Sequence, residues 1–139
     1  MLQTMTANYG MCTAADWLKA KYSMDFFPKL LPLATSIDGA IAFHKFDLVS
    51  PDNQIVAKVK AHTMTASGNV PSAKIIDTYV ACGMLENVTA KKKLLILTDN
   101  GFYKSFLNNS NGRISRKIKI VCPADKHHAE RASLLLTHS

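Results

Sequence analysis

Apolar and polar positions alternate most regularly over residues 54–62, QIVAKVKAH. Successive side chains of an extended chain point to opposite faces, so Ile55, Ala57 and Val59 share one face and Val56, Lys58 and Lys60 the other. The pattern predicts a strand with one apolar face and one face that turns charged towards its end. The segment before it, AIAFHKFDLVS, is opened by Gly39 and predicts a second, largely apolar strand. Between them SPDNQ predicts a tight turn, because proline is pre-set for the second position of a type I turn and Asp and Asn tolerate its backbone. The two strands form a hairpin.

Helical spacing marks other segments. Ala14, Trp17, Leu18 and Tyr22 recur at helical intervals and predict a short helix over 13–22, capped by Thr13 or Asp16. In FFPKLLPL, Pro28 and Pro32 forbid a helix and suit an extended edge segment. After the polar loop TMTASGNVP (63–71), Pro71 stands where the first turn of a helix tolerates it. Ile75, Ile76, Tyr79, Val80, Cys82, Met84 and Leu85 then form a broad apolar stripe, with Gly83 a weak spot. KKKLLILTD predicts a buried strand, GFYKSFLNN a short helix, GRISRKIKIV a further strand and ADKHHAERASLLL a C-terminal helix. A helix between two strands lying side by side implies a right-handed parallel crossover. The expected fold class is therefore α/β: one domain over 1–139, with a mixed central sheet (antiparallel hairpin plus parallel crossover) flanked by helices.

Composition narrows the setting. The chain has 139 residues, of which 47% are hydrophobic and 19% charged, as expected of one globular core. No apolar run is long enough to cross a bilayer, and the N-terminal residues lack the basic-then-apolar layout of a signal peptide. Cys12, Cys82 and Cys122 are far apart and form no CxxC pair, which argues against a zinc site or a disulfide framework. Free thiols in a reducing cytoplasm are the simple expectation. The net charge of +7 makes polyanions natural partners, nucleic acid first. The rival is a basic scaffold or interaction protein whose lysines are merely solvated.

The hairpin carries the candidate chemistry. With the turn centred near Asp52 and Asn53, Asp47 lies opposite Ala57 or Lys58, and Lys60 is two residues along Lys58's face. Phosphodiester hydrolysis needs charge of this kind in one small space: two carboxylates hold a divalent cation against the phosphate and the attacking water, and a lysine stabilises the developing negative charge.

This layout resembles the PD-(D/E)XK nuclease superfamily, whose core is an acid on one strand, an acid-X-lysine on the next, a crossover helix and a parallel strand. Asp47 matches the first acid, Lys60 the motif lysine, and Val59 the X position, whose backbone carbonyl often joins the metal shell in that family. ADWLKAKY resembles the family's leading helix, HKFDLVS its first acid strand, SGNVPSAKI the loop and helix start after the lysine strand in some members, and KKKLLILTD the next core strand. Residues 14 to 100 are covered. The resemblance implies a restriction-endonuclease-like fold, a magnesium-dependent endonuclease activity with Asp47 on the metal, and nucleic acid, DNA before RNA, as substrate. Type II restriction enzymes in the family commonly work as dimers, so it also implies a homodimer.

The departure is Lys58, which stands where the second acid belongs. An ammonium cannot bind magnesium and repels it, but it can pair with Asp47 across the strands. Three alternatives stay open: a non-catalytic domain that still binds nucleic acid; an active enzyme whose second acid comes from Asp77, Glu86 or Asp38; or an acid-to-lysine substitution, natural or engineered, that inactivates a working nuclease. Against all three stands a merely solvated hairpin face.

Around the hairpin, His44 shares a face with Phe46 and is either a core-edge histidine or a base, and His62 continues the Lys58–Lys60 face and can reach a phosphate. Thr63, Thr65, Ser67, Gly68 and Asn69, ahead of a helix N-terminus, suit either a phosphate site or a capping loop. Lys74 opposes the helix dipole in the first turn, which makes sense beside a phosphate. The expected nucleic-acid contacts are His62, Ser67, Asn69 and Lys74. Lys91 to Lys93 resemble a solubilising gatekeeper, and Arg113, Ser115, Lys117 and Lys119 share one strand face that is either a solvated sheet face or a row that tracks a backbone. Asp99 is an alternative acid at a strand's C-terminal end. His127 and His128 are adjacent on the expected C-terminal helix and make no metal site.

Overall fold

Ile55–Val59 and Leu94–Leu97 are almost continuously buried, as strands covered on both faces must be. In the computed structural model they lie in β3 (Ile55–Lys60) and β4 (Lys92–Leu97), parallel neighbours within one five-stranded sheet. The other strands are β1 (Phe27–Pro32), β2 (Phe43–Val49) and β5 (Ile118–Val121), and the spatial order is β1-β2-β3-β4-β5. β1 and β3 flank β2 antiparallel, whereas β3, β4 and β5 run parallel. The helices are α1 (Leu2–Tyr22), α2 (Ser72–Asn87), which crosses from β3 to β4, and α3 (Asn100–Ser110), which crosses from β4 to β5. The structure describes the backbone of residues 2–34 and 41–124, and the side chains from residue 10 within those ranges. Among the described residues no helix is long and apolar enough to cross a membrane.

Two layers of helix cover the sheet. On one face Ala14 and Leu18 of α1 pack on Ile55, Ala57, Val59, Leu94 and Ile96. On the other, Ala81, Cys82 and Leu85 of α2 and Phe102, Tyr103 and Phe106 of α3 pack on Val56, Leu95, Leu97 and Ile118. Each fully buried Leu, Ile or Phe contributes about 1.5–3 kcal/mol relative to exposure, so this sandwich is what fixes the ends of β2 and β3. Gly10 lets α1 come close to the strand ends: a Cβ there would meet Thr98 Oγ1 at 3.1 Å and the Ala61 Cβ at 3.2 Å.

The expected α/β class, the hairpin and the crossover stand, and two boundaries change. α1 begins at Leu2 rather than near residue 13; its first half carries no charge and no clear period, so pattern alone left it out. β5 begins at Ile118. Residues 113–117 form turns, held by bonds from Arg113 N to the Ser110 carbonyl and Ile118 N to the Ser115 carbonyl. The row Arg113, Ser115, Lys117, Lys119 is therefore not one strand face. The expected C-terminal helix, with His127 and His128, and Asp38 lie outside the described residues.

Candidate functional site

Asp47 owes its position to an irregularity in β2. β1 and β2 pair Phe27 with Val49 and Lys29 with Phe46, two steps on one strand against three on the other. The extra residue is a bulge. Its result is that Phe46 packs on the α2–α3 side while Leu48 packs on the α1 side, although strict alternation would put both on one face. Among the described residues the β2–β3 ladder consists of Leu48–Ala57 and Val49–Val56. Past it, Asp47 Oδ2 takes over a strand's role and accepts the Val59 amide at 2.7 Å. The turn that joins the strands is held by Asp52, which accepts from Ser50 Oγ at 2.7 Å and from the Gln54 amide at 3.1 Å, with Asn53 at φ 62°.

The α2–α3 face of β3 then presents Lys58, Lys60 and, past its end, His62. Lys58 Nζ lies 3.9 Å from Asp47 Oδ2 and 3.1 Å from His44 Nε2. The Lys58 side chain is 11% exposed, so its charge depends on these partners. Burial pulls the ammonium below the usual lysine range; Asp47 opposes the shift and Lys60 adds to it. An ammonium donates, so His44 Nε2 accepts and the imidazole is neutral with its proton on Nδ1. Burial first, and Lys58 second, hold His44 below the ordinary histidine pKa. The His44 ring stands edge-on to Phe46 at 5.0 Å.

A second cluster adjoins the first. Asp77 of α2 accepts from Lys60 Nζ at 2.9 Å and from His62 Nε2 at 2.7 Å, both on Oδ2. Burial alone would raise this carboxyl, but the bonds from Lys60 and His62 outweigh it and hold it below the usual range. The His62 ring packs on Phe102 at 5.4 Å. Asp77 was legible as an acid on the crossover helix, but its bridging of Lys60 and His62 was not, because that depends on how α2 is rotated over the sheet.

The remaining candidates make other contacts. Lys74 Nζ donates to the Thr63 carbonyl at 2.8 Å, beside His62 and one turn before Asp77. Ser67 and Asn69 are exposed in a self-bonded loop: Thr65 Oγ1 donates to the Asn69 carbonyl at 3.0 Å and accepts the Asn69 amide at 3.1 Å, while Asn69 Nδ2 reaches Ser67 Oγ at 3.4 Å. Asp99 caps α3 by accepting the Phe102 amide at 2.9 Å. Glu86 sits at the far end of α2, where Lys93 Nζ bonds its carbonyl, so it cannot supply Asp47 with a second acid.

Magnesium demands a near-octahedral oxygen shell that one or two carboxylates anchor. At Asp47 the donor set is a single carboxylate with one oxygen already on the Val59 amide and an ammonium 3.9 Å away. Among the described residues no three His, Cys, Asp or Glu side chains are grouped to hold a metal. The residues as they stand do not fit the ion. No protein-family model matches the chain, and no match is found among curated proteins or solved structures.

Proposed function

We propose that the protein is a restriction-endonuclease-like nucleic-acid-binding domain in which the Lys58 ammonium takes the place of the catalytic cation, so that it binds DNA without hydrolysing it at a useful rate. The observation that carries this is the Lys58 Nζ at 3.9 Å from the Asp47 carboxylate, a fixed positive charge beside the acid that would otherwise hold the metal. The element order supports it: a helix, three antiparallel strands, a crossover helix and a parallel strand, with Asp47 on the second strand and Lys60 at the end of the third. The net charge of +7 supplies the attraction to phosphate.

Binding should be non-specific and driven by counterion release, so it weakens steeply from low to physiological salt. Fluorescence anisotropy with a labelled duplex measures this, and plasmid nicking with magnesium measures hydrolysis on the same sample. Salt-dependent binding without nicking is the expected pair of results. No binding at low salt would remove the nucleic-acid reading. Magnesium-dependent nicking that Asp77→Ala abolishes would mean that the second acid has moved to α2, beside Lys60.

A further inference from the structure

A cluster of lysines with no carboxylate partner among the described residues lies at the end of the sheet opposite the hairpin site. Lys21 at the end of α1, Lys92 at the start of β4 and Lys119 in β5 are exposed and close enough for Lys92 and Lys119 each to push Lys21 downward, after burial, from the usual lysine range. Among the described residues none of the three forms an ion pair. Two aromatic rings stand among them. Lys21 Nζ lies 5.0 Å from the Trp17 ring centre and 5.8 Å from that of Tyr22, and Lys92 Nζ lies 5.0 Å from Tyr22. Both rings are partly exposed, with their inner edges against the α1-side core.

The basic character continues around the end of β4. Lys91, Lys93 and Lys117 line a cleft of about 470 Å³ in which Glu86 is the one acid among the described residues. The Lys93 ammonium is held down by burial and then by Lys117. Lys92 pairs with Ile55 and Leu97 with Lys60 across β3 and β4. At roughly 3.3 Å per residue, the five steps put this surface about 16 Å from the end that bears Lys60.

We propose that Trp17 and Tyr22, framed by Lys21, Lys92 and Lys119, form a binding surface for single-stranded nucleic acid, distinct from the Asp47–Lys58 site. Single strands are held by aromatic rings on which bases stack and by cations that follow the backbone; a paired duplex offers its phosphates but not its base faces. An incoming base replaces an ammonium over the ring, and the displaced lysine meets the adjoining phosphate. Only the class of ligand rests on the function proposed above; the surface is a different one.

Trp17 is the sole tryptophan of the chain, so its emission reports on this surface alone. Titrating the full chain with a short oligothymidylate should quench Trp17 saturably. Lys92→Glu with Lys119→Glu should weaken the titration by about tenfold or more and flatten its salt dependence. Both substitutions are on exposed side chains and leave the core intact. Lys58→Ala should leave the Trp17 titration within about twofold, since that residue is at the other end. Oligothymidylate that binds by anisotropy without quenching Trp17, or that binds the double variant unchanged, would overturn this surface while leaving the proposed function standing. Absence of binding to both duplex and single strand would overturn both. Quenching absent with oligothymidylate, but a blue-shifted Trp17 emission with phosphatidylserine vesicles, would replace the nucleic acid by an anionic membrane surface.

Discussion

At the C-terminal end of β3 the two strand lysines are matched: Lys58 stands against Asp47 and Lys60 against Asp77, which His62 also contacts. At the N-terminal end of β4, Lys21, Lys92 and Lys119 face one another and two aromatic rings, with no carboxylate paired to any of them among the described residues. The contrast follows from burial. A lysine under a helix layer loses its water and persists as an ammonium only beside an acceptor, so the hairpin end accumulates pairs. An exposed lysine keeps its hydration and needs no partner, so its charge remains available to a ligand. The candidate chemistry and this cluster of unpaired lysines thus lie at opposite ends of the sheet, and the two can be tested separately.

Stability should separate the two ends most sharply. Asp47→Ala leaves a nearly buried ammonium with only His44 and takes the acceptor from the Val59 amide. The expected loss is about 2–3 kcal/mol, the range for breaking a hydrogen-bonded pair in a partly dry site. Lys92→Ala at the other end should stay within about 0.5 kcal/mol, as exposed substitutions do. Urea unfolding monitored by circular dichroism compares them. Equal effects would break the contrast by showing that the Asp47–Lys58 pair carries no more of the fold than a solvated lysine does.

A smaller effect should appear with pH. His44 is held below the ordinary histidine value of 6.5 by burial and by Lys58. Between its folded pKa and 6.5 the unfolded chain binds more protons, so stability rises with pH through that window and is lost as pH falls through the folded value. Urea midpoints taken from about pH 5 to 7.5 should climb, and His44→Gln should flatten the climb. A native profile that falls with rising pH would mean that His44 is charged beside Asp47 and that the ammonium of Lys58 points elsewhere.

The hairpin was legible because its signals are local: alternation over 54–62, proline and Asp in the turn, and an acid and two lysines at fixed offsets. The crossover followed from the helix between two apolar runs. The bulge that turns Asp47 towards Val59 was not legible, since an extra residue in a strand leaves no compositional mark. Nor was the Lys60–Asp77–His62 bridge, which requires the rotation of α2 about its own axis. The bond from Lys74 to the Thr63 carbonyl was not legible either, because it depends on how the 63–71 loop folds back on α2. The cluster of Lys21, Lys92 and Lys119 joins three separate elements, and no window along the chain contains it.

Manganese titration calorimetry on the native chain, on Lys58→Glu and on Lys58→Glu with Asp47→Ala tests most directly whether the Lys58 ammonium occupies the place of a cation at Asp47. The native chain should give no saturable heat. Lys58→Glu should set a second carboxylate beside Asp47 and bind one ion, and removing Asp47 from that variant should abolish the binding. Native protein that binds manganese as tightly as Lys58→Glu, or a folded Lys58→Glu variant that binds none, would contradict the assignment of Lys58 to the metal's place.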